Sequence, residues 1–577
     1  MSEAQDPKNE MLVATETLVN VLGVIYAHRK TSDGGDMYFT RFGLPKAELL
    51  ALENWYDKPW FEEKREHLMG TGSVYYVPTK PLDGKVLELV VKNCRVGEDV
   101  PLDTHTLMEF INAEFNSPWE EFSLVMELRE GKYDPADRII NTQEPLAIYV
   151  PPERMQLWQS GRSRSKMNKI MARHPGIDLD ILRQYKLIYG WIKGKNVVEL
   201  LMEIGLENDM LVEALKPLTK KSMDDLEGKG YVVADMKPQH IIIGEEFVAI
   251  LDEMKKSQGL KARGKQLELI SSLVVHDQYS VVDYELLLRT PKHEEEVKSS
   301  RRHSYLDDQR DRFTPTLLPP HLDAIEIFGV PYIHGQVEST GGQLWVVGKN
   351  GRLFDYFLPE RWRKTPSWKL SEENEVYYTV TKDNIHVVWE TSRVGETPGP
   401  SFLPGRREQA IKAGFNSPFE EFAIAQDLSE AGVPTVYVRA IYMTGTPKSE
   451  QSTDLSRYGT HASIVDIKGV GVLQENRNYI SIRGYYNGQD SWVAKQNGSL
   501  YQPLDLQKAA ANGVVTIDEC TNIRKRVQKR LADLGYDGAL LEANDILCIL
   551  DSAGKLIYDS NGTAEVRICN LEFIRKL

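Results

Sequence analysis

FNSPWEEF at residues 115–122 returns as FNSPFEEF at 415–422, and this recurrence constrains the 577-residue chain more than any other feature. It has company. VLGVIYAHRKTSDGG (21–35) is echoed by IFGVPYIHGQVESTGG (327–342), and CRVGED (94–99) by SRVGET (392–397). YKLIYGWIKG (185–194) returns as YISIRGYYNG (479–488), and GYVVADMKPQHIII (230–243) as GYDGALLEANDILC (535–548). Five matches in one order over the whole length imply duplication of a unit of roughly 280 residues. The expected organisation is two domains, 1–300 and 321–577, with a linker at 301–320. The stretch KHEEEVKSSRRHSYLDDQRDR (292–312) around that boundary is charged and poor in apolar residues, which is linker composition.

Composition sets the class. The chain is long enough for two separate cores, and 41% hydrophobic with 27% charged residues is ordinary for a globular protein. A net charge of −14 and a pI near 5.5 argue against a general binder of nucleic acid or anionic membranes. No basic-then-apolar leader opens the sequence, and no apolar run approaches the roughly 18–20 residues that span a bilayer. Cys94, Cys520, Cys548 and Cys569 lack C-x-x-C spacing, so neither a zinc site nor a disulfide framework is indicated. The expectation is a cytoplasmic protein without nucleic-acid or membrane partners.

The chemistry-bearing residues of the first copy follow one another along the chain. Residues 69–92 read as strand, glycine turn, strand, turn and strand, ending in an inward-pointing Lys92. Gly70 and Gly72 let backbone approach a ligand with no Cβ in the way. In NSPWEEF, Ser117 is the expected N-cap, Pro118 the first helical residue and Glu120 the capping-box partner. Glu121 has Leu124, Val125 and Leu128 at +3, +4 and +7, beside an apolar face. It is therefore the candidate partner of Lys92. YKLIYGWIKGKNVVEL (185–200) runs from a buried strand through Gly190 and Gly194 into a helix, and a second helix is expected over 209–228. Then come Asp235, Lys237 and His240, followed by an apolar strand. Asp283 ends the strand in YSVVDYELLLR (279–289), 48 residues after Asp235; Asp252, 17 residues after it, also ends an apolar run. Asp283 is preferred because the second copy has a strand at the matching place.

Approach helix, D-x-K-P and apolar strand together resemble the catalytic loop of protein-kinase-like phosphotransferases. The glycine turn, V-V-K, helix glutamate and hinge extend that resemblance over most of the first copy. V-D-Y-E around Asp283 is closer to the I-D-W-E of aminoglycoside and choline kinases than to the D-F-G of protein kinases. What the resemblance implies is an α+β fold of two tandem kinase-like units, each with a β-rich N-lobe and a shortened helical C-lobe. It further implies ATP with Mg²⁺ or Mn²⁺ as cofactor. Gly70 and Gly72 would cover the phosphates, Lys92 (held by Glu121) and Lys237 would touch them, Asp235 would orient the acceptor, and Asp283 and His240 would bind metal. The sequence departs from the family pattern in four ways. The third glycine is absent near Tyr75 and Tyr76, Val233-Ala234 stand where His-Arg is common, His240 replaces Asn, and the spacing to Asp283 is wide.

The second copy has lost these groups. Its glycine turn reads SEENEVYYTV (371–380), Lys92 aligns with Glu390, Asp235 with Leu540, Lys237 with Glu542 and Asp283 with Asn570. Carboxylates thus stand where a polyanion would approach. Glu420 and Glu421 remain, with no lysine at the matching place to pair with. Two functions are consistent with this pattern. One is an ATP-dependent phosphotransferase working in the first copy on a small-molecule or protein acceptor, beside a pseudokinase-like second copy. The other is a non-catalytic tandem pseudokinase that binds nucleotide or protein as a scaffold. His28 and His334, in matched Y-x-H positions, read as structural residues.

Overall fold

The structure is a computed structural model. It describes residues 17–68, 73–95, 115–131, 133, 138–154, 183–363, 365–371, 374–399, 405–448, 450–485, 504–551, 553–559 and 562–577. One compact unit ends at Val297 and the second begins at Lys298.

In the first unit, period-2 patterning produces eight strands. They are β1 (Thr17–Val21), β2 (Val24–Lys30), β3 (Asp36–Phe39), β4 (Glu66–His67), β5 (Val74–Pro78), β6 (Glu88–Asn93), β7 (Pro145–Val150) and β8 (Lys186–Gly190). They join in one antiparallel sheet in the order β1-β2-β3-β7-β8-β6-β5-β4. The β1–β2 hairpin turns at Leu22-Gly23, both at positive φ (53° and 81°), as a tight two-residue hairpin requires. The unit also contains two small antiparallel sheets. Strands β9 (Gly194–Asn196), β11 (Ile241–Gly244) and β12 (Ser280–Val281) form the first, in the order β12-β11-β9. Strands β10 (Tyr231–Val233) and β13 (Leu287–Arg289) form the second. Around them run helices Val197–Glu203, Asn208–Lys229, Glu245–Gln258 and Arg263–Val275.

The second unit repeats the large sheet strand for strand. Strands β14 (Leu322–Ile327), β15 (Val330–Val337), β16 (Gly342–Val347), β17 (Ser367–Lys369), β18 (Val376–Val380), β19 (His386–Thr391), β20 (Val438–Pro447) and β21 (Arg477–Gly484) adopt the order β14-β15-β16-β20-β21-β19-β18-β17. Its first hairpin turns at Phe328-Gly329 with φ of 52° and 80°. The protein is therefore a mixed α and β molecule with an eight-stranded antiparallel sheet in each half.

Matched side chains hold matched places. One face of the first sheet packs Val77, Leu89, Val91, Tyr149 and Ile188 against Trp55 and Phe61. The second packs Val346, Val387, Trp389 and Ile482 against Phe357 and Trp362. Each large side chain so buried contributes about 1.5–3 kcal/mol. Trp55 donates its indole N–H to the Leu50 carbonyl (2.9 Å) and Trp362 to that of Phe357 (3.0 Å), five residues back in each copy. His28 is bonded to Asp36 (2.9 Å) and stacked on Tyr38, while His334 is bonded to Gln343 (3.1 Å) and stacked on Trp345. Both histidines are structural.

The NSPxEEF helices, Pro118–Glu130 and Pro418–Glu430, start as their sequence requires. Glu120 N–H donates to Ser117 Oγ (3.3 Å) and Ser117 N–H to Glu120 Oε2 (3.1 Å). Glu420 N–H donates to Ser417 Oγ (3.2 Å) and Ser417 N–H to Glu420 Oε2 (2.8 Å). Each closes a capping box.

The charged stretch near the boundary is not an irregular linker. Pro291–Arg310 is one helix, and the residues it buries include His293, Val297, Arg302, Tyr305 and Asp308. Three of these five are polar, so an apolar-periodicity reading passes over a stripe that has helical spacing. Among the described residues no helix is long and apolar enough to cross a membrane, and all four cysteines are free.

Candidate functional site

Register decides which side chains share the site. β5 pairs Val74 with Lys92 and Tyr76 with Val90, and β8 pairs Leu187 with Lys92 and Tyr189 with Val90. Directly paired residues lie on the same side of a sheet, so Lys92 and Tyr189 share a face. The capped helix meets that face. With Glu120 engaged in the cap, Glu121 is one residue farther round and fully buried. Lys92 Nζ lies 3.4 Å from Glu121 Oε1, 3.1 Å from Asp283 Oδ1 and 3.4 Å from Glu285 Oε2. Glu121 Oε1 also accepts from the Tyr189 hydroxyl at 2.8 Å.

Asp283 arrives by way of the two small sheets. β10 pairs with β13 and β11 with β12, so the loop 234–240 and the turn 282–286 are bracketed by the same strand pairs. Ala234 N–H donates to the Leu286 carbonyl (3.0 Å) and Val282 N–H to that of His240 (2.9 Å). Between these bonds the backbone turns sharply at Asp283, whose φ is +69°. Such a conformation costs a non-glycine residue about 1 kcal/mol or more and marks a site held by its surroundings. The wide spacing to Asp235 has a simple source: helices Glu245–Gln258 and Arg263–Val275 are inserted between β11 and β12. Asp252 sits in the middle of the first of these, exposed, and ends no strand.

Asp235, Lys237 and His240 occupy the bracketed loop. Lys237 Nζ is 2.7 Å from Asp235 Oδ2. His240 lies within electrostatic range of Asp283, Lys237, Asp235 and Lys92, and its Nε2 is 3.8 Å from Asp283 Oδ2. Its Nδ1 is buried without a hydrogen-bond partner. The structure thus brings together Lys92, Glu121, Asp235, Lys237, His240 and Asp283. Gly70 and Gly72 lie outside the described residues.

The charges settle unequally. Burial disfavours the Lys92 ammonium, but Asp283, Glu121 and Glu285 outweigh it and push its pKa well up. Burial raises Glu121; Lys92 and the Tyr189 hydroxyl oppose the rise, while Glu285 and Asp283 add to it. For Asp283 burial is outweighed by Lys92, with a contribution from His240, and its carboxyl is held at about 2. Burial lowers His240 against the pull of Asp283. At neutral pH the site therefore holds a cationic lysine, an ionised aspartate and a neutral imidazole. The Asp283 side chain is 38% exposed against 8% for Lys92, so the aspartate is the member that faces outward.

Three further residues complete the arrangement. Arg95 Nη1 reaches Glu285 Oε1 at 3.2 Å and lies over the Phe115 ring, while the Asn116 amide donates to the carbonyls of Tyr284 (3.2 Å) and Leu287 (2.9 Å). They fix the turn that carries Asp283. Their signals stood in the sequence as the last letter of V-D-Y-E, the arginine of CRVGED and the asparagine of NSP.

The second copy keeps this clamp and rebuilds the rest. Arg393 reaches Glu572 (2.9 Å) over the Phe415 ring, and the Asn416 amide donates to the carbonyls of Leu571 and Ile574 (2.8 Å each). Glu421 has no lysine at the matching place, as the sequence shows, but it has another cation. Arg483, at the place of Tyr189, donates to Glu390 (3.0 Å), to Glu421 and to the Cys569 carbonyl (2.7 Å). The positive charge has moved from β6 to the neighbouring strand. Even so, burial lifts Glu421 to about 8: Arg483 opposes the rise, and Glu390 and Glu572 reinforce it. At the places of His240 and Asp283, Asp545 accepts from the Asn570 amide at 3.0 Å, and burial pushes Asp545 to about 7.

Among the described residues no group of three or more His, Cys, Asp or Glu is placed to hold a metal ion. In the first copy Asp283 and His240 supply two donors. Comparison with models of known protein families and with curated proteins found no match.

Proposed function

We propose that the first unit is an ATP-dependent phosphotransferase of the kinase-like kind, and that the second is its degenerate, pseudokinase-like copy. The observation that carries this reading is the meeting of Lys92 with both Glu121 and Asp283. Phosphotransferases of this kind need the Lys–Glu pair and the metal-binding Asp in place together, and here they come from strand β6, the capped helix and a turn 191 residues downstream of Lys92. In this reading Lys92 binds phosphate oxygens, with Glu121 and Tyr189 limiting its reach. Lys237, 45% exposed, turns from Asp235 to the transferred phosphoryl group. Asp235 is then free to accept the hydroxyl proton of the acceptor as its oxygen attacks phosphorus and ADP leaves.

The donor set fits a divalent ion. Asp283 offers a partly exposed oxygen ligand and His240 a nitrogen, and nucleotide phosphates with water complete such sites. When bound, the ion neutralises charge on the phosphates. A Glu–cation pair at Glu421 and Arg483, with no lysine at the place of Lys92, supports the scaffold as a second reading.

Calorimetric titration of the full-length protein with ATP, in Mg²⁺ and in Mn²⁺, tests the proposal. The expected result is one nucleotide per chain, abolished by Lys92→Ala. Asp235→Asn should keep binding and lose turnover, since it acts on the acceptor. Absence of binding with either metal, or two equal sites per chain, overturns it.

A further inference from the structure

The His240 position has been solved differently in the two copies. In the second, Asp545 and Asn570 satisfy one another across 3.0 Å. In the first, His240 and Asp283 stand 3.8 Å apart, too far for a hydrogen bond. His240 is 8% exposed, its backbone carbonyl is held by the Val282 N–H, its Nδ1 has no partner, and the nitrogen it turns toward Asp283 is Nε2. Its neighbour across the gap is an ionised carboxylate with an open side.

Resting on the phosphotransferase reading, we infer that His240 sets the metal preference of the first unit, so that Mn²⁺ supports nucleotide binding better than Mg²⁺. The reason lies in the donor atom. Mg²⁺ demands oxygen ligands in near-ideal octahedral geometry and sheds water reluctantly. An imidazole nitrogen suits first-row transition ions, and Mn²⁺ is the one among them that also suits the carboxylate and phosphate oxygens of such a site, so one nitrogen in place of an oxygen penalises Mn²⁺ less than Mg²⁺. An oxygen donor at residue 240 would remove that discrimination. The turn that carries Asp283 is held by Glu285, Arg95 and Asn116, so its backbone stays in place when residue 240 is changed.

The test compares the full-length protein with His240→Asn, titrating ATP in the presence of MgCl₂ or MnCl₂. The ratio of the two dissociation constants is read in each protein, which cancels the intrinsic preference of ATP for either ion. A wild-type ratio about tenfold more in favour of Mn²⁺ than that of the variant is expected from the change of donor. Electron spin-echo envelope modulation of the Mn²⁺–ATP complex should show ¹⁴N coupling from a directly bound imidazole, absent in the variant. Equal ratios in the two proteins, or no nitrogen coupling in the wild type, overturn the inference while leaving nucleotide binding intact. No ATP binding with either metal overturns the phosphotransferase reading, and this inference with it.

Discussion

Arg483→Met removes a cation that serves both Glu390 and Glu421 in the second unit. Its guanidinium donates to both carboxylates and to the Cys569 carbonyl from a fully buried position. Breaking a buried pair by deleting one partner costs about 3–5 kcal/mol, because the charge left behind is uncompensated. For a unit of this size each kcal/mol shifts the melting temperature by roughly 2–4 °C, so a fall on the order of 10 °C is expected in the transition of the second unit by scanning calorimetry. The loss should depend on pH. Glu421 is already raised to about 8, above the usual carboxylate range, so its contribution is complete below about pH 4.3 and disappears as pH rises through 8. Without Arg483 the carboxyls hold their protons more tightly still. Each proton that the variant retains where the wild type has released it adds about 1.4 kcal/mol per pH unit to the penalty, so the penalty grows as pH rises past 8, where wild-type Glu421 ionises. Glu390→Lys combined with Arg483→Tyr recreates the first copy's arrangement and should recover most of the loss. A single variant within 1 °C of wild type at pH 8, or a double variant no better than the single, would refute the charge-relocation argument.

The remaining predictions concern the first unit and the caps. Asp283→Asn, which keeps a side chain tolerant of the left-handed backbone, should abolish metal-dependent ATP binding in a calorimetric titration. Because Asp283 is held at about 2, its contribution is present above about pH 4 and is lost as pH falls toward 2. The variant should therefore show a shallower acid limb in a stability–pH curve, by about 1 kcal/mol once its exposure is allowed for. Ser117→Ala should cost about 1 kcal/mol in denaturant melts, and Ser417→Ala more, because Ser417 Oγ also bonds the buried His461 Nε2 at 2.8 Å; equal losses would show that this added bond contributes nothing. Tyr189→Phe should leave ATP binding in place and loosen the Lys92–Glu121 pair, seen as weaker discrimination against Lys92→Arg in the same titration.

Local signals were legible in the sequence and non-local ones were not. The capping boxes at Ser117 and Ser417 depend on residues three apart, so eight letters suffice to specify them. The repeat announced two similar units because duplicated sequence carries its topology along. The extent of the sheet was hidden: β3 and β7 pair Asp36 with Val150 and Phe39 with Ala147, more than a hundred residues apart, and no local pattern encodes that register. The helix Pro291–Arg310 was hidden for another reason, since its buried stripe includes His293, Arg302 and Asp308.

Within the site, spacing misled and register decided. Asp252 lay at a shorter distance along the chain, but an inserted pair of helices places Asp283, the aspartate that meets Lys92, 48 residues from Asp235. The repeat pointed to Asp283 because an insertion changes spacing without changing strand order. Arg483 was visible opposite Tyr189 in the aligned segments, yet its meaning required geometry. Glu390 pairs directly with Ser481, and Arg483 with Val388, so the arginine lies two residues along the same face from the lost lysine and can reach both glutamates. A residue-by-residue comparison records a lysine lost and a tyrosine changed. The sheet shows one charge moved by one strand, which preserves the electrostatic balance of the buried cluster while removing the cation from the place where phosphate would meet it. Under the proposed function that exchange suits a unit that need not bind phosphate, and Arg483 is the residue at which the second unit's stability can be measured apart from any chemistry.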